Sequence, residues 1–169
     1  MSESVLQNEG AIRLGFFLGI LVVIALWEIA APRRSLIQSK LWRWPGNLGI
    51  VVINTVVMRL TFPILAVGAA VWTQQAGWGL FNIVALPAWL EVAVAVAVLD
   101  MVVYWQHRLF HVIPMFWRLH RMHHADVDFD VTTALRFHPG EIALSMVIKL
   151  AAVMVLGPAG LAVLIFEIL

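Results

Sequence analysis

The stretch IVALPAWLEVAVAVAVLDMVVYWQHRLFH, from Ile83 to His111, carries two patterns in one piece of chain. Its first part, Ile83 to Trp105, is almost wholly apolar. At about 1.5 Å per residue it is long enough to cross the roughly 30 Å hydrocarbon core of a bilayer. Its end sets His107 and His111 four residues apart, so on a helix continuing from the span the two imidazoles share one face. A membrane helix is thus predicted to finish in a histidine pair.

The rest of the chain agrees with a membrane setting. Of the 169 residues 62% are hydrophobic and 12% charged, and mean hydropathy is +0.92, whereas soluble domains carry about a quarter charged residues. Further apolar runs lie at about 14–31, 48–71 and 142–169, so four spans are expected. The second is broken by Asn54, Arg59 and Pro63. The last is interrupted by Gly157-Pro158, which allows either a kinked helix or a re-entrant hairpin. The polar, acidic leader Met1 to Gly10 does not fit a cleavable signal peptide. Tryptophans near the ends of runs (Trp42, Trp44, Trp72, Trp78, Trp105) suit an interfacial belt. The expected architecture is an all-α, polytopic membrane helical bundle with about four transmembrane or re-entrant helices, a single domain over residues 1–169, and a histidine-rich cap on the cytoplasmic side. That side follows from Arg33, Arg34, Lys40 and Arg43 in the first loop against the uncharged loop Trp72 to Asn82. A formal charge of +1 gives no basic surface for nucleic acid.

All six histidines fall between residues 107 and 138. His120, His123 and His124 repeat the device of the first pair at i, i+3 and i+4, and Pro114 separates the two segments so that the chain can turn back. With no cysteine, thiolate ligands and disulfides are excluded, and a metal must be held by nitrogen and oxygen. Neutral imidazole suits iron, copper, nickel and zinc alike. His138 before Pro139 favours an extended residue followed by a helix start, with Glu141 in the first turn. It is a candidate sixth imidazole. Asp100, Tyr104, His107 and His111 form one helical stripe, and Asp100 and Asn54 count to similar depths on neighbouring spans, so a hydrogen bond between them is expected. Asp100, Asn54 and Glu141 are the candidates for supporting the ligands. Asp126, Asp128 and Asp130 alternate with Val127 and Phe129 and read as a solvated turn. Glu28, Arg59 and Glu91 read as structural charges. A membrane zinc-binding or transport protein and a membrane haem protein remain open alternatives on spacing alone.

His107-Arg108-Leu109-Phe110-His111 and His120-Arg121-Met122-His123-His124 resemble the first two boxes, HxxxH and HxxHH, of the sterol desaturase and fatty acid hydroxylase superfamily. Arg136-Phe137-His138-Pro139-Gly140-Glu141 is similar to that family's RFHPxE segment, and Arg43-Trp44-Pro45 with Asn47-Leu48-Gly49 also matches. The resemblance implies two iron ions bound by His107, His111, His120, His123, His124 and His138, and dioxygen as oxidant. It further implies electrons from a separate redox protein or reductase, and a sterol or fatty-acyl lipid hydroxylated or desaturated at an unactivated carbon. The family carries a third HxxHH box that is not reached by Glu167-Ile168-Leu169. The expectation is therefore of a fragment that holds metal weakly by itself and does not turn over lipid.

Overall fold

In a computed structural model, residues 2–169 are described, and among them every regular element is helical, with no strand. The helices are α1 (Ser2–Gln7), α2 (Glu9–Ala30), α3 (Lys40–Thr61), α4 (Ala66–Ala76), α5 (Leu80–Ile83), α6 (Ala88–Val112), α7 (Pro114–His124), α8 (Pro139–Leu156) and α9 (Gly160–Ile168), with a single 3-10 turn at Thr133–Leu135. Four candidate spans are long and apolar enough to cross a membrane: α2, the helical run beginning at Lys40, α6 and α8. None of the residues of α2 is buried, as lipid-facing helices without a water-driven core require.

Several span boundaries move from those of the sequence reading, and the interrupted last run takes one of the two forms left open for it. The second span starts at Lys40, where Ser39 caps it by accepting the Leu41 N–H at 3.2 Å. It ends at Thr61, because Pro63 has no N–H to continue the ladder, and α4 begins only at Ala66. The third span begins after Pro87 rather than at Ile83. The last run is two helices: Gly157 takes φ 61° between them, a left-handed conformation that glycine adopts without penalty.

The chain divides into two compact units, Met1–Phe16 with Pro63–His107 and Leu144–Leu169, and Phe17–Phe62 with Arg108–Ala143. In the first, small residues of α4 (Ala66, Val67, Ala69, Ala70) let α9 approach closely, and with Leu99, Val153, Val163 and Leu164 they form the buried core. Close backbone approach through small side chains is how helices associate when lipid removes the hydrophobic incentive. A Cβ on Gly157 would lie 2.3 Å from the Trp78 carbonyl oxygen. The Asn82 amide ties the turn by donating to that oxygen at 2.6 Å and to the Gly157 carbonyl at 3.0 Å. Several charges of this unit are held by partners. Glu167, 4% exposed, lies 2.9 Å from Lys149 and 3.1 Å from Arg13, and Glu91 accepts the Ala159 N–H at 2.7 Å just before α9, in keeping with the structural reading of Glu91.

In the second unit the acidic loop after α7 is not a solvated turn: Asp126 and Asp128 are buried, at 6% and 1% exposure. Arg43, itself buried on α3, gives its Nε and Nη2 to Asp126 at 2.7 and 2.8 Å and its Nη1 to Asp130 at 3.0 Å. Its Nη2 also contacts the Asp128 carbonyl. Asn47, one turn further on, donates to Asp126 and to the Thr132 hydroxyl, each at 3.0 Å. Asp128 accepts the backbone N–H groups of Ile37 and Gln38 at 2.9 and 2.8 Å. Trp44 donates to Asp130 at 2.9 Å and so belongs to this knot rather than to a lipid belt. Burial opposes ionisation of Asp126, but hydrogen bonds from Arg43, Thr133 and Asn47 outweigh it and bring its pKa down to about 2. Asp128 is lowered by the Gln38 N–H, with burial opposing. Asp130 is lowered too, hydrogen bonds from Thr132 and Trp44 overcoming its burial. Glu28 accepts the Val131 N–H at 3.1 Å, the structural role expected for it.

Candidate metal centre

Two helices bring the histidine boxes together. α6 runs on past the apolar span to Val112 and carries His107 and His111 one turn apart. Pro114 then occupies the first turn of α7, where its missing N–H has no partner to lose, and α7 turns His120, His123 and His124 toward the end of α6. The ring centroids of His111 and His120 are 4.7 Å apart, those of His111 and His124 4.9 Å, and those of His120 and His124 4.9 Å. His123 packs on His120 at 5.4 Å and on His124 at 5.1 Å. One ring nitrogen of His111 lies within 4.8 Å of one on His107, a turn earlier on the same helix, and of one on His120.

The walls of this cluster are aromatic. Phe110, 1% exposed, lies 6.0 Å from His120. Phe137 lies flat on His123, 4.6 Å away at 3°, and Trp117 stands 5.6 Å from His111 and 5.5 Å from His124. Burial lowers the pKa of His120 to about 4, and the neighbouring His111 and His124 push it the same way. His124 is lowered by the same two causes, burial and then His111. Imidazoles kept neutral in this way retain the lone pairs that a cation needs.

Two features test whether a metal ion fits. The Nε2 atoms of His120 and His124 face each other at 3.2 Å, the separation expected when both bind one ion at about 2.1 Å with an angle of roughly 100° between them. On the far side of His120, Nδ1 meets Glu141 Oε1 at 2.7 Å, with both side chains buried. A carboxylate on Nδ1 places the proton there and directs the Nε2 lone pair into the cluster, as in carboxylate–histidine–metal units. The other oxygen, Glu141 Oε2, is buried with no hydrogen-bond partner among the described residues. The donor set of several imidazoles and a carboxylate is that of a nitrogen- and oxygen-bound transition metal.

The remaining sequence candidates fall outside the cluster's ring contacts. His138 accepts the Gly140 N–H on Nδ1 at 3.0 Å, which leaves only its Nε2 for another partner. Asn54 was expected to pair with Asp100. Its amide instead donates to the Phe137 carbonyl at 3.0 Å, because α3 starts eight residues earlier than the apolar run and its buried face meets the loop before α8. Asp100 is exposed on α6. Phe137 is a site residue that spacing did not single out, although it stands beside His138 in the RFHPxE segment.

Helices built for a membrane and a cluster of imidazoles gathered around the buried His120, with a carboxylate behind it, define a membrane protein equipped to hold a metal ion. Residues 92–169 match the family model described as fatty acid hydroxylase. Alkylglycerol monooxygenase of Xenopus tropicalis is 28% identical over 105 residues, covering 56% of this chain and 23% of the relative. No solved structure matches. The matched region, which carries all six histidines, supports a relationship to the sterol desaturase and fatty acid hydroxylase superfamily.

Proposed function

We propose that this chain contributes the first two histidine boxes of a membrane-bound di-iron oxidoreductase that hydroxylates or desaturates a lipid C–H bond with dioxygen. Electrons would come from a separate redox protein or reductase, and the boxes would lie on the cytoplasmic side. The observation that carries the reading is the convergence of His111, His120 and His124, with the Nε2 atoms of the last two 3.2 Å apart and Glu141 behind His120. Iron held by His107, His111, His120, His123 and His124, with His138 as a further donor through Nε2, would supply the activation of dioxygen needed at an unactivated carbon.

The chain's own residues prepare the site for that chemistry. Glu141 Oε1, 2.7 Å from His120 Nδ1, would hold a proton on that nitrogen and keep the ring from rotating once Nε2 binds a metal. Phe110, Phe137 and Trp117 set apolar surface beside the imidazoles, which suits the hydrocarbon chain of a lipid. The relative's activity on alkylglycerols makes a glycerol bearing a long alkyl chain the first lipid to try.

The test is isotopic. The chain, joined to a segment that supplies the family's third HxxHH box, is reconstituted in nanodiscs with ferrous iron and a reductant, given an alkylglycerol or a fatty-acyl lipid, and exposed to oxygen-18 gas. A lipid product carrying one heavy oxygen supports hydroxylation, and loss of two hydrogens with reduction of dioxygen to water supports desaturation. Neither change in any lipid tried, from protein shown to contain iron, would overturn the proposal.

A further inference from the structure

We propose that one polar stripe of α3, formed by Arg43, Asn47 and Asn54, positions the imidazole cluster through Phe137. This rests on the reading above that the imidazoles hold a metal ion. The three residues are spaced i, i+4 and i+11, which at 100° per residue returns each to nearly the same face of the helix. All three are buried, at 7%, 3% and 7% exposure, although the helix otherwise presents Leu41, Trp42, Val52, Ile53, Val56 and Leu60 outward. Polar groups on a membrane-length helix are expensive to keep there, so what they grip is informative.

They grip both ends of a single segment. Arg43 and Asn47 hold Asp126, two residues beyond the last ligand of α7, and Asn54 holds the carbonyl of Phe137. The two anchor points are eleven residues apart on α3 and eleven apart on the segment. On α3 that is a rigid span of about 16 Å. Between them Thr133 donates to Asp126 at 2.6 Å, and Thr132 to Asp130 at 2.7 Å, so the segment cannot slide without breaking charge-assisted bonds. Its last residue is the one whose ring lies 4.6 Å from His123 at 3° and 6.2 Å from His120 at 28°. A helix that carries no histidine therefore fixes where two of the imidazoles lie, much as second-layer partners orient ligand rings in metal sites. Phe137 and Asn54 are positioning residues on this account.

Cobalt(II) serves as probe, because its visible absorption reports the geometry of its imidazole ligands independently of turnover. Asn54→Leu and Phe137→Leu are each expected to weaken cobalt binding about 10–100-fold and to change the spectrum. Phe137→Tyr, which keeps the ring, should preserve both. The double variant Asn54→Leu/Phe137→Leu should bind no worse than the weaker single variant, since both act through one contact. Wild-type affinity and an unaltered spectrum in both single variants, with only a lowered melting temperature, would show that the stripe merely stabilises the fold and would overturn the proposal. Failure of the unaltered protein to bind cobalt would instead overturn the metal reading, and the positioning role with it.

Discussion

Replacing Asp126 by Asn keeps the shape of the buried knot and removes one of its charges. The Arg43 side chain, 4% exposed, then faces an amide where it had two charge-assisted bonds at 2.7 and 2.8 Å. Removing one partner of a buried pair costs about 3–5 kcal/mol. Asp130, still 3.0 Å from Arg43, keeps the loss at the lower end of that range. A second route gives a similar size: the fall of the Asp126 pKa from 3.8 to about 2, at about 1.4 kcal/mol per pH unit, contributes about 2.5 kcal/mol. Because the folded pKa lies below the unfolded one, this stability is fully present above pH 3.8 and is lost as pH falls through about 2. Denaturant unfolding in detergent micelles, followed by tryptophan fluorescence, measures it, since Trp44 is bonded to Asp130 inside the knot. Asp126→Asn should be destabilised by about 2–3 kcal/mol at pH 7, with a smaller difference from the unaltered protein as the pH approaches 2. Arg43→Met/Asp126→Leu should not recover the loss, because Asp130, 4% exposed, then loses its Arg43 partner as well. A change below about 0.5 kcal/mol in Asp126→Asn, the size usual for exposed positions, would refute the argument that the knot is a buried, energetically coupled unit.

Other predictions concern separate parts of the chain. Glu141→Gln removes the carboxyl group that faces His120 Nδ1 at 2.7 Å, so metal affinity measured by competition with a chromophoric chelator should fall about 10–100-fold; unchanged affinity would mean that the pair does not serve the site. Gly157→Ala forces a left-handed residue with φ 61° and a Cβ 2.3 Å from the Trp78 carbonyl, and a stability loss of about 1–3 kcal/mol should appear as a lower melting temperature. The expected orientation is tested by Ser35→Cys and Gln75→Cys in a chain with no cysteine of its own: the first should react with an impermeant reagent only from the cytoplasmic side and the second only from the other. Reaction of both from one side would reverse that assignment.

What the sequence made legible was whatever depends on short spacing. His107 with His111, the three histidines of α7, the turn at Pro114 and the start of α8 at Pro139 with Glu141 in its first turn are all local consequences of helix period and proline chemistry. The four spans were visible as apolar runs, but their ends moved wherever a polar residue found a distant partner. The second span begins at Lys40 because Arg43 and Asn47 are buried against Asp126, about eighty residues away along the chain. Nothing near Asp126, Asp128 and Asp130 announces those partners, so three alternating acids looked like an exposed turn. Asn54 was rightly singled out as a polar residue needing a partner. Counting depth could not tell that Phe137 would supply it, because depth says nothing about which loop folds back onto a helix.

Whether the converging imidazoles bind iron is read by iron-edge X-ray absorption on the anaerobically loaded protein. The expected spectrum has a first shell of nitrogen and oxygen with the multiple-scattering pattern of several imidazoles, lost when His111, His120 and His124 are replaced together by alanine. Iron without imidazole in its shell, or a spectrum unchanged by the triple replacement, would contradict iron binding by these imidazoles.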